Sequence, residues 1–193
     1  MSHPVTYPQP AWCTRLIAEY TDSDARAETL SRSLTREQIN WRPRPDAWSI
    51  GQCLEHLAAG NELYLEAIEA ALTRNLNSRP VQEVTPGVFT RWFIRTYMEP
   101  SAQTKSGTAP AKIRPRAEVD AGILDRFLRS NERARALMRR GSDYDVNRVR
   151  FRNPFVPVIR FTVGSGFVIL ASHERRHLLQ AERVRSAPGF PEK

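Results

Sequence analysis

Trp48-Ser49-Ile50-Gly51-Gln52-Cys53-Leu54-Glu55-His56-Leu57 is the stretch on which the reading of the chain turns. Ser49 is a helix-capping residue type, and Gln52 three places later completes a capping box, so a helix is expected to start here. Leu54, Leu57, Leu65, Ile68 and Leu72 then recur at helical spacing and form one apolar stripe. Proline breaks helix interiors. The chain's prolines leave four long windows free of it: 11–42, 46–79, 116–153 and 158–187.

The other three windows carry stripes of their own. The first holds Cys13, Leu16, Ile17, Tyr20, Ala27, Leu30 and Leu34. The third holds Ile123, Leu124, Phe127, Ala134, Leu137 and Met138, and ends in Arg139-Arg140-Gly141. Two cations and then a glycine cap are what a helix C-terminus favours. The fourth holds Phe167, Leu170, Ala171, Leu178 and Ala181, with Thr162 as its expected cap. Four amphipathic helices of roughly 20 to 25 residues predict an all-α fold, a four-helix bundle. A long connection, 75–117, joins the second helix to the third, with a short helix expected over Phe89 to Met98. Its aromatics Phe89, Trp92, Phe93 and Tyr97 are read as anchors of that connection to the bundle, with the lining of a covered pocket as the alternative. Residues 146–163 contain Pro154 and Pro157 and read as an extended loop with room for a short strand.

A chain of 193 residues, 40% hydrophobic and 26% charged, suits one soluble domain over 1–193, with an N-terminal arm (1–10) and a C-terminal tail (187–193). No apolar run reaches the roughly 18 to 20 residues of a membrane span, so no membrane partner is expected. With no leader pattern at the start and only Cys13 and Cys53, a disulfide framework is excluded and a cytoplasmic location is expected. The net charge of +8 comes from 29 basic and 21 acidic residues. The basic residues are mostly interspersed with acids, which reads as solvated helix faces, and a nucleic-acid partner is not expected.

The histidines carry the chemistry. His173 and His177 lie four residues apart, one turn apart on one helix face. Gln180 shares that face, and small Gly166 is expected to leave room beside it. Two imidazoles so placed can grip one metal ion, and His56 on the second helix is the natural third ligand. Three neutral imidazoles leave a position open for water or substrate. His3 sits in a proline-rich tail and is not a candidate. Cys53, one turn before His56, is read as a small core residue. His173-Glu174-Arg175-Arg176-His177 also spells the H-E-x-x-H of zinc peptidases. Only 16 residues follow His177, with no histidine among them, so the downstream ligand of that motif is missing. Trp41 and Trp48 flank the start of the second helix and are expected to be structural, Trp48 as the staple before the cap.

Leu34 to Pro43, Trp48 to Leu57 and His173 to Gln180 together resemble the signature of the DinB-like (YfiT-like) superfamily. The resemblance implies a four-helix bundle with an unusual connection. It implies a divalent metal, zinc or nickel, held by His56, His173 and His177. It implies a thiol-dependent transferase or isomerase using a low-molecular-weight thiol such as bacillithiol or mycothiol, and a homodimer. The expectation is therefore a metal-dependent enzyme that activates a thiol or water, most nearly a thiol S-transferase or hydrolase acting on a small molecule. The alternative is a non-catalytic bundle that binds a metal or a small ligand.

Overall fold

The computed structural model describes residues 9–74, 79–99 and 109–192; His3 lies outside them. The four expected long helices are present: α1 (Ala11–Ser31), α3 (Ile50–Arg74), α5 (Ile123–Gly141) and α6 (Val163–Arg185). Two short helices join them, α2 (Arg36–Asn40) and α4 (Val88–Phe93), the latter running on into a π turn, Ile94–Met98. The first window thus holds two helices, because Thr35 and Gln38 form a second capping box just after α1 ends. At α3 the expected box forms: Ser49 Oγ accepts from the Gln52 N–H at 3.1 Å, and Gln52 Oε1 accepts from the Ser49 N–H at 3.0 Å. Thr162 caps α6 as expected. Gly141 does not end α5 in a left-handed turn. It is the last residue of the helix, and a Cβ there would already touch Phe167, Val146 and Trp12 at 3.6–3.7 Å. Residues 146–163 do include strands, β1 (Arg150–Arg152) and β2 (Arg160–Thr162), paired antiparallel with Phe151 opposite Phe161.

Each long helix crosses two apolar clusters. One contains Trp12, Tyr20, Leu65, Met138, Phe151, Phe161 and Phe167; the other contains Ala27, Ile50, Leu54, Phe127 and Leu178. Helices α1 and α6 run from the first cluster to the second, and α3 and α5 run from the second to the first. The second and third helices of the bundle are therefore parallel, which is why the connection between them must travel back along its length. Between the clusters lies a buried polar layer: Ser23 on α1, His56 and Asn61 on α3, Ser130 and Asn131 on α5, and Ser172, His173, Glu174 and His177 on α6. Helix α3 packs on both α5 and α6, and α1 closes the ring on the other side.

Candidate metal centre

His56 and His173 come from facing helices, and their Nε2 atoms are 3.0 Å apart. His177 sits one turn further along α6, its ring centroid 4.6 Å from that of His56 and 4.7 Å from that of His173. One nitrogen from each of the three lies within 4.8 Å of the others. Each histidine keeps less than a tenth of its surface.

Two rings have their tautomer fixed from behind. The Ile113 carbonyl, 2.8 Å away, can only accept, so His56 carries its proton on Nδ1. His177 Nδ1 likewise donates to Gln180 Oε1 at 2.9 Å. Both Nε2 lone pairs therefore point into the cluster, the arrangement that orienting hydrogen bonds give metal-binding imidazoles. Burial lowers the pKa of all three rings. For His173 the neighbouring His177 and His56 add to this, and Arg176 pushes the same way on each ring. The shift takes His177 to about 3. A ring that is neutral at pH 7 keeps one N–H and offers its other nitrogen's lone pair to a cation. Two nitrogens bound to one zinc at about 2.0–2.1 Å in a tetrahedron are about 3.3 Å apart. The donor set fits a divalent ion.

The segment that supplies Ile113 is itself clamped to α3. Gln52 Nε2 donates to the Arg116 carbonyl at 2.8 Å, and buried Glu55 accepts from both the N–H and Nε of Arg116 at 2.8 and 2.7 Å. The Glu-His pair of the opening stretch thus fastens the connection twice, through Glu55 and through His56.

A cavity of about 290 Å³ opens beside the histidines. Its walls are mostly apolar, among them Trp48, Tyr64, Phe93, Phe155 and Leu170. Arg176 is the one side chain of fixed charge lining it among the described residues, and it donates to the Tyr97 carbonyl.

Several expectations change here. Trp48 is more than a staple: its ring stacks on His177, with centroids 5.5 Å apart and planes at 25°, and lies 4.8 Å from His56. Phe93 and Tyr97 line the cavity as well as anchoring the connection, whereas Phe89 and Trp92 do not reach it. Gly166 is not beside the site, because a Cβ there would strike Phe151 at 2.7 Å. Gly60 takes that place: a Cβ built on it would lie 3.5 Å from His173 Cε1. Cys53 is fully buried in the second cluster, as expected of a core residue. Sequence reasoning missed the Ile113 carbonyl and Arg176. The latter was in view inside the H-E-R-R-H run, one residue from a candidate ligand.

Glu174 faces away from the histidines. Its Oε1 accepts from Asn61 Nδ2 at 2.9 Å, and Asn131 Nδ2 lies 3.4 Å from its Oε2. It cannot serve as the base that the peptidase motif requires.

A helical bundle with three converging neutral histidines beside an apolar cavity defines a protein with a place for a metal ion. The chain belongs to the DinB superfamily, whose family model matches residues 19–181. No curated protein and no solved structure matches the chain.

Proposed function

We propose that this protein is a metal-dependent enzyme, most nearly a thiol S-transferase, using zinc or nickel held by His56, His173 and His177. The observation that carries the reading is the pair of fixed tautomers, which turns the His56 and His177 lone pairs toward a common point at the cavity wall. A divalent metal there would lower the pKa of a thiol or water and supply a nucleophile at neutral pH. The protein's own groups do the rest. Ile113 and Gln180 hold the two rings. Trp48, Phe93 and Tyr97 enclose an apolar substrate body and exclude water. Arg176 offers one cationic contact to an acidic group on the thiol or on its electrophilic partner.

Elemental mass spectrometry of untagged protein tests the metal. Near one zinc or nickel per chain is expected, with loss in a His56→Ala/His177→Ala variant. Screening the metal-loaded protein with low-molecular-weight thiols and a broad set of electrophiles tests the reaction. A bound metal with no turnover across that screen leaves a metal-binding bundle. No metal, and none taken up on titration, removes the enzyme reading.

A further inference from the structure

Every strongly exposed large apolar side chain among the described residues falls on two neighbouring elements. Val88, Phe89 and Trp92 are on α4, and Val156 and Val158 are on the turn of the β1–β2 hairpin. Val158 is 89% exposed and Val88 76%. The two elements are packed together, with Phe89 and Phe93 against Phe161 at centroid distances of 6.3 and 5.5 Å. The same two elements carry exposed arginines: Arg91 on α4, Arg95 on its π turn, and Arg150, Arg152 and Arg160 on the outward side of the hairpin, opposite buried Phe151 and Phe161. Arg152 stands directly opposite Arg160 in the strand register. Like charges facing one another across a ladder are destabilising without a counter-charge.

This is a segregation of charge, not a general excess. Residues 88–98 and 150–162, the two elements themselves, hold five of the 29 basic residues and none of the 21 acidic ones. Elsewhere arginines meet acids, as in Arg126–Glu62, Arg133–Glu69 and Arg135–Asp24. None of the five arginines on the two elements has an ion-pair partner among the described residues.

We propose that the face formed by α4 and the β1–β2 hairpin docks onto an anionic phospholipid surface. The exposed valines and Trp92 enter the headgroup boundary, and the arginines meet lipid phosphate. Apolar exposure concentrated on two packed elements marks an interaction surface. Apolar and aromatic side chains interleaved with cations are the composition of interfacial segments. A second copy of the chain does not suit the face. A two-fold interface must be self-complementary, and here cation would meet cation. Nucleic acid would use the arginines and Trp92 but has no use for Val88, Val156 and Val158. The expectation of no membrane partner rested on the absence of an apolar span. No described helix is long and apolar enough to cross a membrane, but a segment lying in the interface needs no span. Phe93, Phe155 and Ile159, on these same elements, line the cavity beside the histidines, so the docking elements are also walls of that cavity.

Co-sedimentation of the full chain with vesicles tests the inference. Phosphatidylcholine vesicles are compared with vesicles in which about 30% is phosphatidylglycerol, since each interfacial cation adds about 1 kcal/mol on an anionic surface. At least about tenfold stronger binding to the anionic vesicles is expected, weakened by salt. Arg152→Glu/Arg160→Glu should lose about tenfold or more. Val88→Asp/Val158→Asp should weaken binding too, while circular dichroism and metal content stay unchanged, because these side chains touch neither core nor histidines. Equal binding to both vesicle types, or none, would overturn the proposal. So would an oligonucleotide that binds more tightly than vesicles and is unaffected by the valine variant. A dimer that the valine variant converts to a monomer would assign the face to a second copy instead.

Discussion

His173 and Glu174 are consecutive on α6, both in the polar layer between the apolar clusters, yet they belong to two different kinds of site. Glu174 looks inward. Around it Asn61, Asn131, Ser130 and Asp24 bond one another, and Arg135 closes the set on Asp24 at 2.5 Å. Nearly every polar atom there has a protein partner; Asn61 Oδ1 and the neighbouring Tyr20 hydroxyl are the buried exceptions. His173 looks toward the cavity, where the cluster's lone pairs face one another. Burying a polar group costs free energy unless it is bonded. The Glu174 network meets that cost within the protein, which makes it a structural joint. The histidine cluster meets it only in part, which makes it a place for something else.

The largest effect should therefore follow from emptying the cluster. His56→Ala/His177→Ala is expected to abolish metal uptake while the apo protein stays folded. Titration of both proteins with zinc, followed by elemental analysis, checks it. Uptake that survives the double substitution would mean that the two sites do not differ in kind.

Next comes the joint itself. Glu174→Ala removes one acceptor from Asn61 and Asn131, whose amides keep Ser130, Asn131 Oδ1 and Asp24, and opens a cavity in the core, which should cost about 2–4 kcal/mol in denaturant unfolding. Metal uptake should persist. The carboxyl also has a pH signature. Burial raises its pKa from 4.5 to about 8, against weaker opposing hydrogen bonds from Asn61 and Ser23. The folded state thus keeps a proton that the unfolded chain has released. Its contribution is full below pH 4.5 and is lost as pH rises through about 8. The slope is about −1.4 kcal/mol per pH unit inside that window. Urea midpoints of metal-free protein across the window should fall with pH, and Glu174→Gln should flatten the trend. An unchanged slope in Glu174→Gln would assign it to another group.

The same contrast explains what the sequence could and could not reveal. Periodicity and caps gave the four long helices because each stripe and each cap is local, as at Ser49 with Gln52 or Thr162 before α6. The three histidines were legible because their spacing on α6 and their place on α3 need only helix geometry. The partners that fix them were not all legible. The Ile113 carbonyl is a main-chain group 57 residues from His56 and has no side-chain signal. The inward turn of Glu174 depends on Asn61 and Asn131, on two other helices. The split of the core into two clusters, and with it the parallel course of α3 and α5, depends on tertiary pairing that no single stripe records.

The two glycines give the smaller tests, and they should separate the joint from the site. Gly166 belongs to the apolar cluster. A Cβ there would lie 2.7 and 2.8 Å from the Phe151 ring and 3.0 Å from Ile68 Cδ1. Gly166→Ala is overpacking and should cost about 1–3 kcal/mol, read as a lower thermal midpoint with unchanged metal stoichiometry. Gly60→Ala is expected to have the smallest effect of all, and of opposite sign. The new methyl would sit 3.5 Å from His173 Cε1, an ordinary contact, and alanine replaces glycine inside a helix. Stability should rise by up to about 1 kcal/mol. Gly60→Leu would push its branches into the space of the His173 ring, so metal affinity should fall more than stability does. If Gly60→Leu instead lost stability and kept its metal, Gly60 would belong with the joint, and the line drawn here between His173 and Glu174 would be in the wrong place.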